Sequence, residues 1–193
     1  MIIRANFFTA VRASLFSGKL SQSHVTNMEG ILDYALEQQL PVQQIAYALA
    51  TTYHETAHTM QPVKEYGLGT GYDYGLQLDM GQGPGKRVPY ATPKHLYYGR
   101  GYVQLTWLSN YQGVGRKIGV DLVNQPDLAL QPEVAARILI NGMQQGWFTG
   151  RRLSHYFTPL GADLVNARRI VNGVDRAALV AGYHAKFLHA LTC

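Results

Sequence analysis

Residues 41–56 read PVQQIAYALATTYHET, and this stretch decides the fold class. Four residues of this stretch have helical spacing and would lie on one side of a helix, namely Ile45, Leu49, Thr52 and Thr56. Pro41 suits the first turn of such a helix, and Pro62 is the residue expected to stop it. The stretch therefore predicts a helix that carries Glu55 near its C-terminal end.

Helical patterns lie on both sides of this stretch. Upstream, TNME at 26–29 has the capping-box spacing before an apolar period, which predicts a helix that ends at Pro41. Downstream, Pro132 opens another helical pattern that begins at Gln131. A last helix is predicted with Asp175 as its N-cap and with four side chains facing inward, namely Leu179, Tyr183, Phe187 and Leu191. Strand patterns are scarce, so we predict a mainly α chain.

A glycine-rich segment separates these helices. Residues 66–101 contain nine glycines and three prolines. This composition cannot sustain a regular helix, because glycine is flexible and proline lacks a backbone donor. We predict a long surface loop excursion within one domain that spans residues 1–193. Loops of this length inside a compact domain usually serve a function.

The overall composition is that of a folded protein. Of the 193 residues, 47% are hydrophobic and 15% are charged, which disfavours long disordered segments. The net charge of +5 favours a polyanionic partner, such as nucleic acid, an anionic membrane or an acidic cell-wall polymer. Apart from Arg151-Arg152 and Arg168-Arg169 the cationic residues are scattered, and this argues against nucleic acid.

Cysteine content and hydropathy exclude further classes. Cys193 is the only cysteine, so an internal disulfide and a thiolate metal cluster are excluded. No apolar run approaches the ~20 residues that a membrane span needs, so stable membrane insertion is not expected. Arg4 and Arg12 bracket only a short apolar stretch, which does not resemble a secretion signal. We therefore expect a protein that is made in a cytoplasm.

Two of the five glutamates stand apart from the rest. Glu55 follows the mostly apolar run 45–50, where partial desolvation would favour the neutral carboxyl group of a proton donor. Glu65 lies beyond the break at Pro62, so the two carboxyl groups can face each other across a cleft. An inverting glycosidase separates such groups by roughly 6.5–9.5 Å to admit a water molecule. The alternative is that Glu55 pairs with a nearby Lys or Arg and that Glu65 is merely solvated.

A zinc site competes for the same residues. HETAH at 54–58 matches H-E-x-x-H, in which two histidines one helical turn apart bind zinc and the glutamate activates water. A longer metalloprotease motif would continue with glycine at 61 and histidine at 64, but this chain has Gln61 and Lys64. Asp73 or Asp79 could still supply a third ligand. A zinc metallopeptidase is therefore kept as an alternative of another class.

The segment 97–107, YYGRGYVQLTW, combines aromatic rings, a flexible backbone, and amide and hydroxyl groups. Sugar sites use this mixture, because rings stack on pyranose faces while Gln, Asn and Thr hydrogen-bond hydroxyl and acetamido groups. A buried Tyr/Trp cluster with a turn at Gly99 and Gly101 fits the same residues. Composition alone leaves both interpretations open.

Several ordered motifs together resemble glycoside hydrolase family 19, which contains chitinases and related bacteriophage endolysins. They are YHET at 53–56, KEYG at 64–67, YYGRGYVQLTW at 97–107, SNY at 109–111, IG at 118–119 and IVNG at 170–173. The resemblance covers about residues 45–190, and GRGYVQLT at 99–106 is its most specific part. It implies a mostly helical, lysozyme-like fold of two lobes that hydrolyses β-1,4 glycosidic bonds with inversion.

The resemblance also implies roles for individual residues. Glu55 matches the family's general acid, Glu65 matches a second carboxylate that acts as general base, and Thr106 matches the position that helps to hold the attacking water. Sugar-contacting positions are matched by Gln104, Asn110 and Asn172, with Tyr98 and Arg176 as further candidates. The implied mechanism uses no metal ion and no cofactor.

Two features depart from the family pattern. His58 stands where many members have glycine, and residues 66–96 match no family segment. Asp73 and Asp79 are therefore kept as fallback candidates for the second carboxylate.

These features lead us to expect an endolysin that cuts the β-1,4 bonds of bacterial peptidoglycan. It would act as a monomer on the cell wall after release from the bacterial cytoplasm in which it is made, with no nucleic acid as partner. Chitin is the alternative substrate. A cell-wall-binding module without catalysis is a further class that fits the same composition.

Overall fold

The computed structural model describes residues 2–79, 87–89 and 96–193. Its α-helices are α1 (Arg4–Ser14), α2 (Gln22–Glu37), α3 (Val42–Glu55), α4 (Asp73–Leu76), α5 (Leu108–Ile118), α6 (Pro132–Gln145) and α7 (Ala177–Thr192). Short 3-10 helices lie at Pro126–Leu130, Leu153–His155 and Asn166–Ile170. The prediction of a mainly α chain is confirmed. Within the described ranges, none of the helices has the length and apolarity to cross a membrane.

The strands of the described residues are two or three residues long and form antiparallel pairs. They are β1 (Val63–Lys64) with β4 (Arg100–Gly101), β2 (Gln77–Asp79) with β3 (Arg87–Pro89), and β5 (Phe157–Thr158) with β6 (Gly161–Ala162). Pairs this short join loops rather than form the core of a sheet. The predicted scarcity of strands is confirmed.

The chain divides into two compact units, a first unit of Met1–Met60 with Leu139–Cys193 and a second unit of Gln61–Ile138. In the first unit, α3 is buried at every residue from Ile45 to Tyr53. α7 packs against α3, and α1 packs against α7. A helix enclosed on all sides needs apolar or small side chains around its whole circumference, which residues 45–52 provide. The enclosed helix α3 therefore carries Glu55 at its end.

The bounds of α2 differ from the prediction. Ser21 is the N-cap: its side chain accepts a hydrogen bond from the backbone N–H of His24, and Nδ1 of His24 accepts one from the backbone N–H of Ser21. This is a capping box in which histidine takes the place of Glu or Gln. The predicted box at 26–29 is wrong, because those residues lie inside a helix that Ser21 has already capped. The helix also ends at Glu37 rather than at Pro41.

The last helix also departs from the prediction. α7 begins at Ala177 with Arg176 as its N-cap, so the predicted N-cap Asp175 is one residue too early. Of the four side chains predicted to face inward, two are buried, one is half-buried and one is exposed: Phe187 and Leu191, then Tyr183, then Leu179. A strict spacing of four residues drifts around a helix of about 3.6 residues per turn, which carries Leu179 away from the buried face.

The second unit contains the glycine-rich excursion and helices that the sequence did not predict. The start of the excursion is a surface segment, because Tyr66, Leu68 and Tyr72 are exposed. The prediction is wrong for its last residues, 97–101, which are buried. Residues 80–86 and 90–95 of the predicted excursion lie outside the described residues. The helices not predicted here are α4, inside the excursion, and α5, whose C-cap Gly119 is left-handed with φ 68°. Helix α1 of the first unit was not predicted either.

Candidate active site

Glu55 is the last residue of α3, and the chain turns sharply behind it. Thr56 follows as the C-cap. Its hydroxyl group donates a hydrogen bond to the carbonyl oxygen of Thr52 at 2.7 Å and accepts one from the backbone N–H of Met60 at 3.0 Å. The prediction that α3 continues toward Pro62 is wrong, because the hydroxyl group of Thr56 closes the helix here.

The turn behind Glu55 is strained and is held by aromatic contacts. Ala57, His58 and Met60 have φ values of 48°, 71° and 54°, a conformation that costs a residue with a side chain about 1–2 kcal/mol. The ring of His58 stacks on Tyr53, with ring centroids 4.1 Å apart and planes at 12°. Its Nε2 lies 3.3 Å from the hydroxyl oxygen of Tyr183. These contacts explain why histidine can occupy a position where the family pattern has glycine.

The same turn removes the geometry of a zinc motif. Because α3 ends at Glu55 and the backbone of His58 is left-handed, His54 and His58 do not lie one turn apart on a common helix. His54 is half-buried, and burial lowers its pKa. In the part of the chain that the structure describes, no three His, Cys, Asp or Glu side chains are grouped to bind a metal ion. The H-E-x-x-H spacing therefore does not form its usual site.

Arg168 is the partner of Glu55. Nη1 of Arg168 lies 2.5 Å from Oε1 of Glu55, and the two side chains are 4% and 15% exposed. Both atoms are buried. They form an ion pair, but within the described residues neither atom has a partner with hydrogen-bond geometry. Nε of Arg168 donates to the carbonyl oxygen of Asp175 at 3.2 Å, which fixes the guanidinium group. The pairing of Glu55 with a basic residue, which is one part of the alternative interpretation, is thus present, whereas the other part, a merely solvated Glu65, is not.

Glu65 is oriented by donors of the second unit. The hydroxyl group of Tyr74 donates to Oε1, and the backbone N–H of Gly99 donates to Oε2 at 2.9 Å. The backbone N–H of Glu65 in turn donates to the carbonyl oxygen of Gly99 at 2.8 Å. Burial and the bond to Glu65 raise the pKa of Tyr74, so its hydroxyl group remains a donor at neutral pH. Glu65 is therefore not merely solvated but held in one orientation.

Because Gly99 has no side chain, two predicted site residues can lie close to its backbone. A Cβ atom at this position would lie 2.5 Å from Oε1 of Gln104 and 3.2 Å from Oε2 of Glu65. Nε2 of Gln104 donates to the carbonyl oxygen of Val63 at 3.2 Å, which positions the amide group. The structure thus brings Glu65 and Gln104 together at one backbone position that only glycine can occupy without displacing them.

Tyr98 is enclosed by a charged cluster. Its side chain is 7% exposed, and the guanidinium carbon of Arg100 lies 3.7 Å from the centre of its ring. Nε of Arg100 donates to Asp127 at 2.7 Å, and Nζ of Lys64 donates to the other carboxylate oxygen at 2.8 Å. The bond from Lys64, with that from Arg100, lowers the pKa of Asp127. At Tyr98 the structure matches the interpretation of a buried aromatic cluster.

The remaining predicted residues are divided between the two units. In the second unit, Thr106 is half-buried shortly before α5, and Asn110 is exposed in the first turn of that helix. In the first unit, Asn172 is exposed, and its backbone N–H donates to the carbonyl oxygen of Arg168 at 3.1 Å. Arg176 is exposed at the start of α7 with φ 57°. Asn172 is therefore tied through the backbone to the arginine that contacts Glu55.

Asp73 and Asp79 were the fallback candidates for the second carboxylate. Asp73 is exposed in the first turn of the four-residue helix α4. Asp79 ends β2, and its side chain lies outside the described part of the structure. Glu65, whose two oxygens each accept a hydrogen bond, is the better candidate for an oriented second carboxylate.

Sequence reasoning missed Arg168 and Tyr74. Arg168 was noted only as half of a basic pair, although its position two residues before the IVNG motif at 170–173 was a usable signal. Tyr74 lies in the glycine-rich excursion, where no motif marks it. Its hydrogen bond to Glu65 joins two parts of a loop, and local spacing does not predict such a contact.

Comparison with known families agrees with these observations. Residues 32–150 match the family Glyco_hydro_19, described as chitinase class I. This chain belongs to glycoside hydrolase family 19. The matched range includes Glu55, Glu65 and the segment 97–107, and it ends before Arg168 and Asn172.

Plant endochitinases are among the family 19 relatives. Endochitinase CH5B of Phaseolus vulgaris is 32% identical over 138 residues, which are 70% of this chain and 40% of the relative. Endochitinase 1 of Solanum tuberosum is 34% identical over 140 residues, which are 70% of this chain and 41% of the relative. The chain thus spans about two fifths of the length of these curated relatives.

Solved family 19 structures share the fold. Chitinase C from Streptomyces griseus HUT6037 superposes with a TM-score of 0.66 at 21% identity, covering 99% of this chain and 76% of that one. The class IV chitinase from Zea mays gives a TM-score of 0.51 at 20% identity, covering 98% and 81%. The lysozyme-like fold that the motifs implied is therefore confirmed.

Proposed function

We propose that this chain hydrolyses β-1,4 glycosidic bonds with inversion, with Glu55 as general acid and Glu65 as general base. The observation that carries the proposal is the orientation of Glu65, whose two oxygens accept hydrogen bonds from Tyr74 and from the backbone N–H of Gly99. A general base has to hold its oxygen in a fixed direction toward the water that it deprotonates. The family match and the place of Glu55 at the end of the buried helix α3 support the same reaction. Once Glu55 has given up its proton, the buried guanidinium group of Arg168 stabilises the negative charge that remains.

The proposed reaction transfers two protons, breaks the glycosidic bond and forms a bond between the anomeric carbon and a water oxygen. The proton of Glu55 passes to the glycosidic oxygen as the bond from that oxygen to the anomeric carbon breaks. A water oxygen attacks the anomeric carbon from the opposite face and loses a proton to Glu65, which inverts the configuration. Thr106 helps to hold that water. Exchange of one proton with solvent at each carboxyl group restores the starting state.

Neutral polar side chains would bind the sugar rings. Gln104 has an amide group fixed by its bond to Val63, and fixed amides suit the hydroxyl and acetamido groups of a sugar. Asn110 and Asn172 are exposed and can donate and accept hydrogen bonds. Tyr98, which is 7% exposed, and the exposed, charged Arg176 complete the proposed set.

The substrate we propose is bacterial peptidoglycan. The net charge of +5 suits an anionic cell-wall polymer, since attraction between opposite charges raises the local concentration of the polymer. The motifs resemble those of bacteriophage endolysins and those of chitinases. In this proposal the chain acts as a monomer on the cell wall after release from the cytoplasm of its host.

Chitin is the second candidate substrate. The relatives from Phaseolus vulgaris and Solanum tuberosum are named endochitinases, and the structural neighbours are named chitinases. Chitin consists of β-1,4-linked N-acetylglucosamine, so the same two carboxyl groups would perform the same reaction on it.

Digestion of two purified substrates tests the proposal. Peptidoglycan sacculi and colloidal chitin are incubated with the protein in the presence of EDTA, and the products are identified by mass spectrometry and by reducing-end assay. Glycan fragments released from sacculi are the expected result. Products from chitin alone would favour the second candidate. Activity that EDTA abolishes and zinc restores would favour a metallopeptidase, and sedimentation with sacculi without new reducing ends would favour a binding module.

Three variants assign the carboxyl groups. Glu55→Gln and Glu65→Gln should each lower turnover by about 10²-fold or more, in line with the loss of a general acid or base. Glu37→Gln is the matched control, because Glu37 ends α2 as Glu55 ends α3, but on an exposed surface. A fully active Glu55→Gln protein would overturn the proposed mechanism.

A further inference from the structure

Tyr74 belongs to a segment that the family motifs do not assign. It lies in α4, within the glycine-rich excursion, and donates its hydroxyl hydrogen to Oε1 of Glu65. The backbone N–H of Gly99 donates to the other oxygen of that carboxylate, Oε2. The two donors approach different oxygens, so together they restrict rotation of the carboxylate about its last bond.

We propose that Tyr74 is a positioning residue for Glu65, which it orients for the abstraction of a proton from water. This inference rests on the proposed role of Glu65 as general base. A general base has to point an oxygen at the water that it deprotonates, and one donor on each oxygen fixes that direction. Each carboxylate oxygen has two lone pairs, so one donor on each oxygen leaves acceptor capacity for a water molecule.

The ring of Tyr74 is itself fixed. It stacks on Tyr72, with ring centroids 5.2 Å apart and planes at 7°. It also meets Trp107 edge to face at 5.7 Å. Trp107 follows Thr106, the residue proposed to hold the attacking water. Tyr74 therefore contacts both Glu65 and the direct neighbour of Thr106, and packing holds its hydroxyl group in place.

The phenol acts as a donor and does not exchange its proton in this role. Burial, together with the hydrogen bond to Glu65 and the charge of that carboxylate, raises the pKa of Tyr74. It keeps its proton throughout the neutral range. The proton that Glu65 takes from water thus remains on Glu65 until solvent removes it.

Tyr74→Phe tests the inference, because it removes the hydroxyl group and keeps the ring against Tyr72 and Trp107. Removal of a hydrogen bond to a charged group should lower kcat by about 10- to 100-fold. KM should change by less than about threefold, because Tyr74 is proposed to orient the base and not to bind the sugar. Tyr66→Phe is the matched control, since Tyr66 is fully exposed in the same segment, and its kcat should equal that of the wild type.

Two comparisons separate the inference from the proposed function. If Glu65→Gln is inactive while Tyr74→Phe keeps the kcat of the wild type, only the positioning role is overturned. If Glu65→Gln is fully active, the role of Glu65 as base fails, and the inference fails with it. A thermal unfolding midpoint is measured for each variant. A fall in kcat that comes with a lower unfolding midpoint, or with an equally large change in KM, would mark a purely structural role and overturn the inference.

Discussion

Nη1 of Arg168 lies 2.5 Å from Oε1 of Glu55, and both atoms are buried. The two residues come from elements far apart in the sequence, the 3-10 helix Asn166–Ile170 and the end of α3. Removing one partner of a buried ion pair leaves the other charge without compensation. The contact therefore links the stability of the first unit to the group that we propose as the proton donor.

Replacement of Arg168 by methionine should destabilise the protein by about 3–5 kcal/mol, because the carboxylate of Glu55 loses its buried partner. Turnover should fall by about 10²-fold or more, since the negative charge left on Glu55 is no longer stabilised. Urea unfolding and a reducing-end assay measure the two effects. Arg169→Met is the control: Arg169 is exposed and hydrogen-bonds the side chain of Asn166, and its loss should change stability by less than about 0.5 kcal/mol. Equal effects of the two variants would contradict the prediction.

Thr56→Val should destabilise the protein by about 1–3 kcal/mol, because the buried backbone N–H of Met60 loses its acceptor. Valine has nearly the same shape, so packing is largely preserved. Thr9→Val is the control, since the hydroxyl group of Thr9 donates to the carbonyl oxygen of Ala5 on the exposed side of α1. Chemical denaturation measures both variants. A loss no larger for Thr56→Val than for Thr9→Val would show that the cap does not hold the turn behind Glu55.

Gly99→Ala should lower activity by about 10²-fold, because its Cβ atom would displace Gln104 and press on Glu65. KM should rise as well if Gln104 binds sugar. Gly113→Ala provides the control, because a Cβ atom at Gly113, inside α5, meets open space. That variant should gain about 0.5–1 kcal/mol of stability at full activity, since alanine favours a helix. Steady-state kinetics measure the activity of both variants, and thermal unfolding measures their stability.

His184 makes the stability of the protein depend on pH. Its Nε2 lies 3.1 Å from the carbonyl oxygen of Gln43, which can only accept, so Nε2 carries the proton. Burial lowers the pKa of His184 below its ordinary value of 6.5. As the pH falls below 6.5, the unfolded chain takes up a proton that the folded protein does not. Stability is therefore complete above that pH and is lost as the pH falls toward the folded pKa.

His184→Gln should make this loss shallower, because glutamine can keep the bond to Gln43 and cannot take up a proton. Some slope should remain, since burial also lowers the pKa of His24 and of His54. The free energy of unfolding is measured in urea from about pH 7.5 to about pH 5, above the range in which Asp127 titrates. An unchanged slope in the variant would show that His184 does not contribute.

Local patterns were sufficient for the position of several helices but not for their ends. The period of residues 41–56 predicts α3, and Pro132 marks the start of α6. The end of α3 depends on the hydroxyl group of Thr56 and on a left-handed turn stabilised by the contact of His58 with Tyr183. The prediction that Pro62 ends the helix was wrong, because a side-chain cap and a distant aromatic contact end the helix earlier.

The sequence by itself determined the mainly helical fold, the family, and the position of Glu55 near the C-terminal end of a helix. Helical periodicity and ordered motifs are local properties, so they can be recognised in the chain alone. Only the tertiary structure decided that Arg168 faces Glu55 and that Tyr74 and Gly99 hold Glu65. These contacts join side chains that are distant in the sequence or carried by an irregular loop. Packing of the whole chain, rather than local spacing, brings them within bonding distance.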